Sequence, residues 1–76
     1  MEELLELLSA LKPEIDFEQE KELIDDGLLE SFDVITLIAE LEDQFGVEVP
    51  AEEIVPENFN SAEGIWELLE RIREEA

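Results

Sequence analysis

The chain has no cysteine, no histidine and no tyrosine, and only four basic residues among 76. Each absence removes a class of chemistry. Without cysteine there is no disulfide, no thiolate nucleophile and no thiol of the protein's own. Without histidine as well, zinc sites of the usual ligand types are excluded, and so is the commonest general base near neutral pH. The sequence offers no apolar run near the ~20 residues that cross a bilayer, so no membrane insertion is expected. Its start, MEELLELL, is acidic and lacks the basic flank of a secretory signal, which points to a cytoplasmic protein. Only three glycines and three prolines are available to punctuate it.

Acid is plentiful. Twenty-four Asp and Glu against four Lys and Arg give a formal charge of −20. Such a surface repels nucleic acid and anionic membranes and steers basic protein surfaces towards itself. It also repels itself, so added sodium chloride or magnesium is expected to raise the melting temperature. The hydrophobic share is 45% and falls at regular intervals, unlike a disordered acidic tract. The length suits one domain, residues 1–76, with one modest core.

Leu4, Leu7, Leu8 and Leu11, with Leu5 at the edge, predict a helix up to Lys12 that Pro13 ends. Residues 13–30 show no sustained period. A loop so long in a compact domain usually has a function. Ile15, Phe17, Leu23, Ile24, Leu28 and Leu29 can pin it to a core. A helical turn is expected around Glu18 to Leu23, and a tight turn at Asp25-Asp26-Gly27. Val34, Leu37, Ile38, Leu41 and Phe45 form the buried stripe of a second helix, with Ser31 as its N-cap, Asp33 in its first turn and Gly46 at its C-cap. Pro50 and Pro56 start short helical turns. Asn60 with Glu63 reads as a capping pair for a last helix, whose core face is Ile65, Leu68, Leu69 and Ile72 and whose end carries Arg71 and Arg73. Trp66 lies one position off that face, half-buried. The sum is an all-α fold: a small four-helix bundle, three helices major and one short, with a long first loop.

The carboxylates make no metal site by spacing. Neither DFEQEKELIDDG nor IDDGLLESFDVI places glycine sixth and glutamate twelfth, as a calcium loop requires. Paired carboxylates for glycoside hydrolysis need a deep cleft, which a bundle of this size has too few apolar residues to line. No metal ion and no catalytic residue are expected.

Ser31 lies inside DDGLLESFDV. Taken alone it reads as a helix cap. No histidine can activate it as a nucleophile, which leaves modification as its chemistry. A phosphate at a helix N-terminus meets free N–H groups, but Asp25, Asp26, Glu30 and Asp33 oppose an unbound anion. Phosphorus would have to be placed there covalently by another protein. On the same helix Phe32, Ile35 and Ala39 form a strip set roughly 100–160° from the buried stripe. Thr36, Glu42 and Asp43 border it. This is either a wide core stripe with Ile35 half-buried, or an apolar partner surface with an acidic rim that favours fast, salt-sensitive docking of basic partners.

The segment GLLESFDVITLIAELEDQFGVEVP resembles the central segment of acyl and peptidyl carrier proteins. It looks especially like the stand-alone D-alanyl carrier subgroup, with its Gly-Leu-Leu-Asp-Ser-Phe type of motif and a helix ending in Gln-Phe-Gly. ENFNSAEGI is similar to that family's entry into its last helix, and the likeness runs from about Leu23 to Ile72. The resemblance implies that Ser31 receives 4′-phosphopantetheine from coenzyme A through a phosphopantetheinyl transferase. It also implies that the thiol of the arm carries an acyl or aminoacyl group as a thioester. An adenylate-forming ligase or acyltransferase would load it, and downstream acyl- or aminoacyl-accepting enzymes would unload it. The helix after the serine would be the recognition helix, which makes Glu30, Phe32, Ile35, Thr36, Ala39, Glu42 and Asp43 the partner-binding residues of a non-catalytic, monomeric carrier. One departure is Glu30, where the family usually has Asp. The rival reading is an unmodified acidic helical adaptor that binds basic proteins through its second helix.

Overall fold

A computed structural model describes residues 1–75. Four helices follow in order: α1 (Glu2–Leu11), α2 (Ser31–Phe45), α3 (Pro56–Phe59) and α4 (Ala62–Glu75), with a 3-10 turn at Ala51–Glu53 before α3. No strand occurs among the described residues. The all-α expectation of three major helices, one short helix and a long first loop is met. The Cα radius of gyration is 11.3 Å, close to the ~11 Å of an ordinary compact chain of this length.

The core is entirely apolar among the described residues. Leu4, Leu7 and Leu8 of α1, Leu37 and Leu41 of α2, Phe59 of α3, and Ala62, Ile65, Leu68, Leu69 and Ile72 of α4 are buried together with Phe17, Leu23 and Leu29 of the loop. α1 packs against α2 and α4, and α3 against α4. Trp66 is half-buried as expected, and meets Phe45 edge-on with ring centroids 6.3 Å apart. Val34, Ile38 and Phe45, expected on the buried stripe, are only partly buried. The buried stripe of α2 is narrower than its sequence suggests: Val34 and Ile38 face an open groove, and Phe45 lies at the edge against Trp66.

Helix ends differ from expectation in three places. α1 stops at Leu11, and Lys12 follows with its N–H still bonded to the Leu8 carbonyl (2.9 Å). Gly46 ends α2 in the left-handed conformation (φ 63°), as its position predicts. Ser31, however, is not the N-cap of α2. Glu30 is, with extended backbone (φ −98°, ψ 171°), and its carbonyl accepts the first helical bond from Val34 N–H at 3.0 Å. Nor do Asn60 and Glu63 cap α4. Ser61 Oγ accepts the Gly64 N–H at 3.0 Å, while Glu63 pairs with Lys21.

Asn60 does something else. Its Oδ1 accepts the N–H groups of Ile24 (2.9 Å) and Asp25 (3.1 Å), its Nδ2 donates to Asp25 Oδ2 (3.2 Å), and its carbonyl accepts Leu23 N–H at 2.8 Å. One residue between α3 and α4 thus fastens the long loop across the fold. In the loop the turn expected around Glu18 to Leu23 lies earlier, at Asp16–Glu20, and the turn expected at Asp25-Asp26-Gly27 is present. Asp16 organises the first, its Oδ1 accepting Glu18 N–H and its carbonyl accepting Gln19 and Glu20 N–H. The second closes through Asp26 N–H on the Glu22 carbonyl, and Gly27 supplies the positive φ (74°) that turns the chain towards α2.

Candidate functional site: the N-terminus of α2

The start of α2 is built so that Ser31 is free. A helix opening usually engages the side chain of its cap residue. Here the residue before the serine is the cap, and Asp33 serves it: Asp33 Oδ2 accepts Glu30 N–H at 3.1 Å and the Lys12 ammonium at 3.3 Å. These contacts hold the Asp33 carboxyl below its usual range: the Glu30 N–H contributes most, burial opposes it, and Lys12 adds to the lowering. Ser31 is exposed in the first helical position. Its N–H and that of Phe32 have no acceptor inside the helix, by helix geometry.

The chain contains four aliphatic hydroxyls, on Ser9, Ser31, Thr36 and Ser61. Thr36 Oγ1 donates to the Phe32 carbonyl (3.1 Å) and Ser61 Oγ caps α4. Ser9 is exposed within α1 and does not line the groove. Ser31 alone stands at a helix start beside a cavity. The groove, of about 610 Å³, is walled by α2 (Val34, Ile38), by the loop (Ile24, Leu29) and by the segment around α3 (Ile54, Phe59), and Ser31 lines its rim. Sequence reasoning placed Val34 and Ile38 in the core and missed Ile54. An isolated isoleucine in an acidic turn, 42% exposed, was the available signal.

The strip on α2 is resolved in favour of exposure. Phe32 is 77% and Ile35 67% exposed, and Ala39, Glu30, Glu42 and Asp43 are exposed as well, with Thr36 half-exposed. On the opposite face Leu37 and Leu41 are sealed. Glu42 has one structural duty, accepting Val49 N–H at 3.0 Å to hold the chain leaving α2. The basic residues are all engaged: Lys12 with Asp33, Lys21 with Glu63, Arg71 with Glu53, and Arg73 lying 5.7 Å from the centre of the Phe45 ring. The apolar strip is therefore bordered by acid that no lysine or arginine of its own neutralises. No helix among the described residues is long and apolar enough to cross a membrane.

Comparison with known proteins meets this geometry. The family described as the phosphopantetheine attachment site matches residues 2–69. D-alanyl carrier proteins of Streptococcus sanguinis (strain SK36) and Streptococcus gordonii (strain Challis) are each 34% identical over 71 residues, covering 87% of this chain and 90% of theirs. The same identity and coverage relate it to the D-alanyl carrier protein of Streptococcus thermophilus (strain LMD-9).

The chain belongs to this family of carrier proteins, in its D-alanyl carrier subgroup.

The prosthetic group of the family is 4′-phosphopantetheine, and the start of α2 suits it: an exposed, uncommitted hydroxyl, free N–H groups of the first turn to face a phosphodiester, and an apolar groove alongside. The carrier reading thereby displaces the unmodified adaptor. As a carrier the protein supplies no catalysis of its own and depends on partner enzymes.

Proposed function

We propose that Ser31 is the attachment residue and that residues 1–76 act as one carrier domain for an aminoacyl group. The observation that carries this is the free Ser31 hydroxyl at the opening of α2, inside the stretch that the family description matches. In the modification, Ser31 Oγ attacks the phosphorus of coenzyme A that bears the pantetheine. A new P–O bond forms to the serine and the pyrophosphate bond breaks. The adenosine bisphosphate leaves, and the serine proton passes to a base of the transferase. The arm supplies the thiol that a cysteine-free chain lacks. The protein's own contribution is to present one hydroxyl on a rigid helix end, and to show every partner the same surface.

That surface comprises Glu30, Phe32, Ile35, Thr36, Ala39, Glu42 and Asp43. Partners are a phosphopantetheinyl transferase, an adenylate-forming ligase or acyltransferase, and downstream acceptors, met in the cytoplasm by a monomer. Kinship with D-alanyl carriers supports an amino acid, D-alanine, as cargo. The apolar groove beside Ser31 favours a second reading, an acyl chain. Charging the modified protein with D-alanine by a D-alanyl ligase, in parallel with acyl transfer from acyl-coenzyme A analogues, separates the two. For the attachment itself, incubation with coenzyme A and a transferase adds one phosphopantetheine by mass to the wild type. Ser31→Ala abolishes the gain. No gain on the wild type with several transferases would contradict the proposal. Glu30 retains the charge of the usual aspartate, so modification proceeds.

A further inference from the structure

Glu30, the residue before Ser31, is gripped at both its backbone ends. The N–H of Glu30 goes to Asp33 Oδ2 (3.1 Å), and the Glu30 carbonyl takes Val34 N–H (3.0 Å). Asp33 is in turn held by Lys12 (3.3 Å), the residue that ends α1. The two ends of the long loop, at Lys12 and Glu30, are thus tied through a single carboxylate. Ser31 sits inside this grip without taking part in it.

The energetic meaning follows from the alternative. If Ser31 capped the helix itself, its Oγ would be turned back onto a helical N–H with one lone pair engaged there. By giving the cap position to Glu30, which forms a reciprocal capping box with Asp33 two residues beyond the serine, the chain fixes the backbone of Ser31 and leaves its oxygen unbonded to the helix. A hydroxyl held in one place is worth more to a transferase than a frayed one, because positioning errors near 1 Å are costly to group transfer.

We propose that Asp33 is a positioning residue for the modification of Ser31, and that Lys12 holds Asp33 in place for this role. The inference rests on Ser31 being the attachment residue. It assigns Asp33 a duty inside the carrier, distinct from offering its charge to the enzyme.

The test uses the full chain with coenzyme A and a phosphopantetheinyl transferase, reading kcat and KM, together with hydrogen exchange of the Glu30 amide by NMR. Asp33→Ala should lower kcat/KM about five- to tenfold, the size of a lost cap, with most of the loss in kcat. The Glu30 amide should exchange faster by a similar factor. Asp33→Asn keeps a carbonyl acceptor and should recover most of the rate and the protection. Lys12→Met should lower the rate less than threefold, as suits a partly exposed ion pair. Should Asp33→Ala fail to fold, the rate and amide protection of Asp33→Asn decide instead. The proposal is overturned if Asp33→Asn raises KM strongly while the Glu30 amide stays protected, since Asp33 would then be a charge contact for the enzyme. Uptake of the arm by Ser31→Ala would instead refute the attachment reading, and the Glu30 exchange data would still report on the grip.

Discussion

Helices α2 and α4 have nearly the same length, 15 and 14 residues, and use their apolar residues in opposite ways. α4 hides Ala62, Ile65, Leu68, Leu69 and Ile72 and leaves Trp66 half-covered. α2 is richer in apolar residues yet buries only Leu37 and Leu41, while Phe32 and Ile35 stand in solvent. Solvent exposure of two large side chains on one helix face brings no folding gain, so something other than folding accounts for them. α4 is the helix that holds the molecule together. α2 is the helix that leaves large apolar side chains to solvent, on the face proposed to meet partners.

The contrast can be broken most severely on α4. Leu69 is fully buried, so Leu69→Ala should cost about 2–5 kcal/mol, a large part of the ~4–11 kcal/mol expected for a chain of this size. Urea unfolding followed through Trp66 measures it. A loss below 1 kcal/mol would mean that α4 is not the main support. On α2, Ile35→Ala should leave stability within about 0.5 kcal/mol, as for an exposed side chain. The same change should weaken docking to a transferase or ligase about tenfold, in line with loss of an apolar anchor at an interface. An Ile35→Ala chain that melts early and docks normally would reverse the assignment.

Much of this contrast was readable from the sequence. Local rules set Pro13, Gly46 and Pro56 where helices stop or start, and the wheel of α2 set Phe32, Ile35 and Ala39 apart from Leu37 and Leu41. The start of α2 was misread by one residue. An aspartate at the third helical position looks the same on paper whether it only favours the dipole or, as here, takes the Glu30 N–H. Asn60 resembled a cap because a cap is local. Its real partners, Ile24 and Asp25, lie 36 and 35 residues away in sequence, beyond any local pattern. The groove escaped notice for the same reason, since three separate segments wall it.

The smallest expected effect concerns acid. Asp33 and Glu63 are both held below their usual ranges, Asp33 chiefly by the Glu30 N–H and Glu63 by Lys21. A carboxyl with a lowered folded pKa stabilises the fold above its ordinary value and ceases to do so as pH falls through the folded value. From the ordinary value of 3.8 for Asp33, its contribution is full near neutrality and lost below about pH 4. Melting curves between neutral pH and pH 3 should therefore fall less steeply at the acid end for Asp33→Asn than for the wild type. Parallel curves would remove Asp33 from the acid response.

Locating the arm tests the central claim most directly. After modification with coenzyme A, fragmentation mass spectrometry of the intact chain should place a single phosphopantetheine on Ser31 and leave Ser9, Thr36 and Ser61 bare. An arm on any of those three, or none at all, would contradict the view that α2 exists to present Ser31.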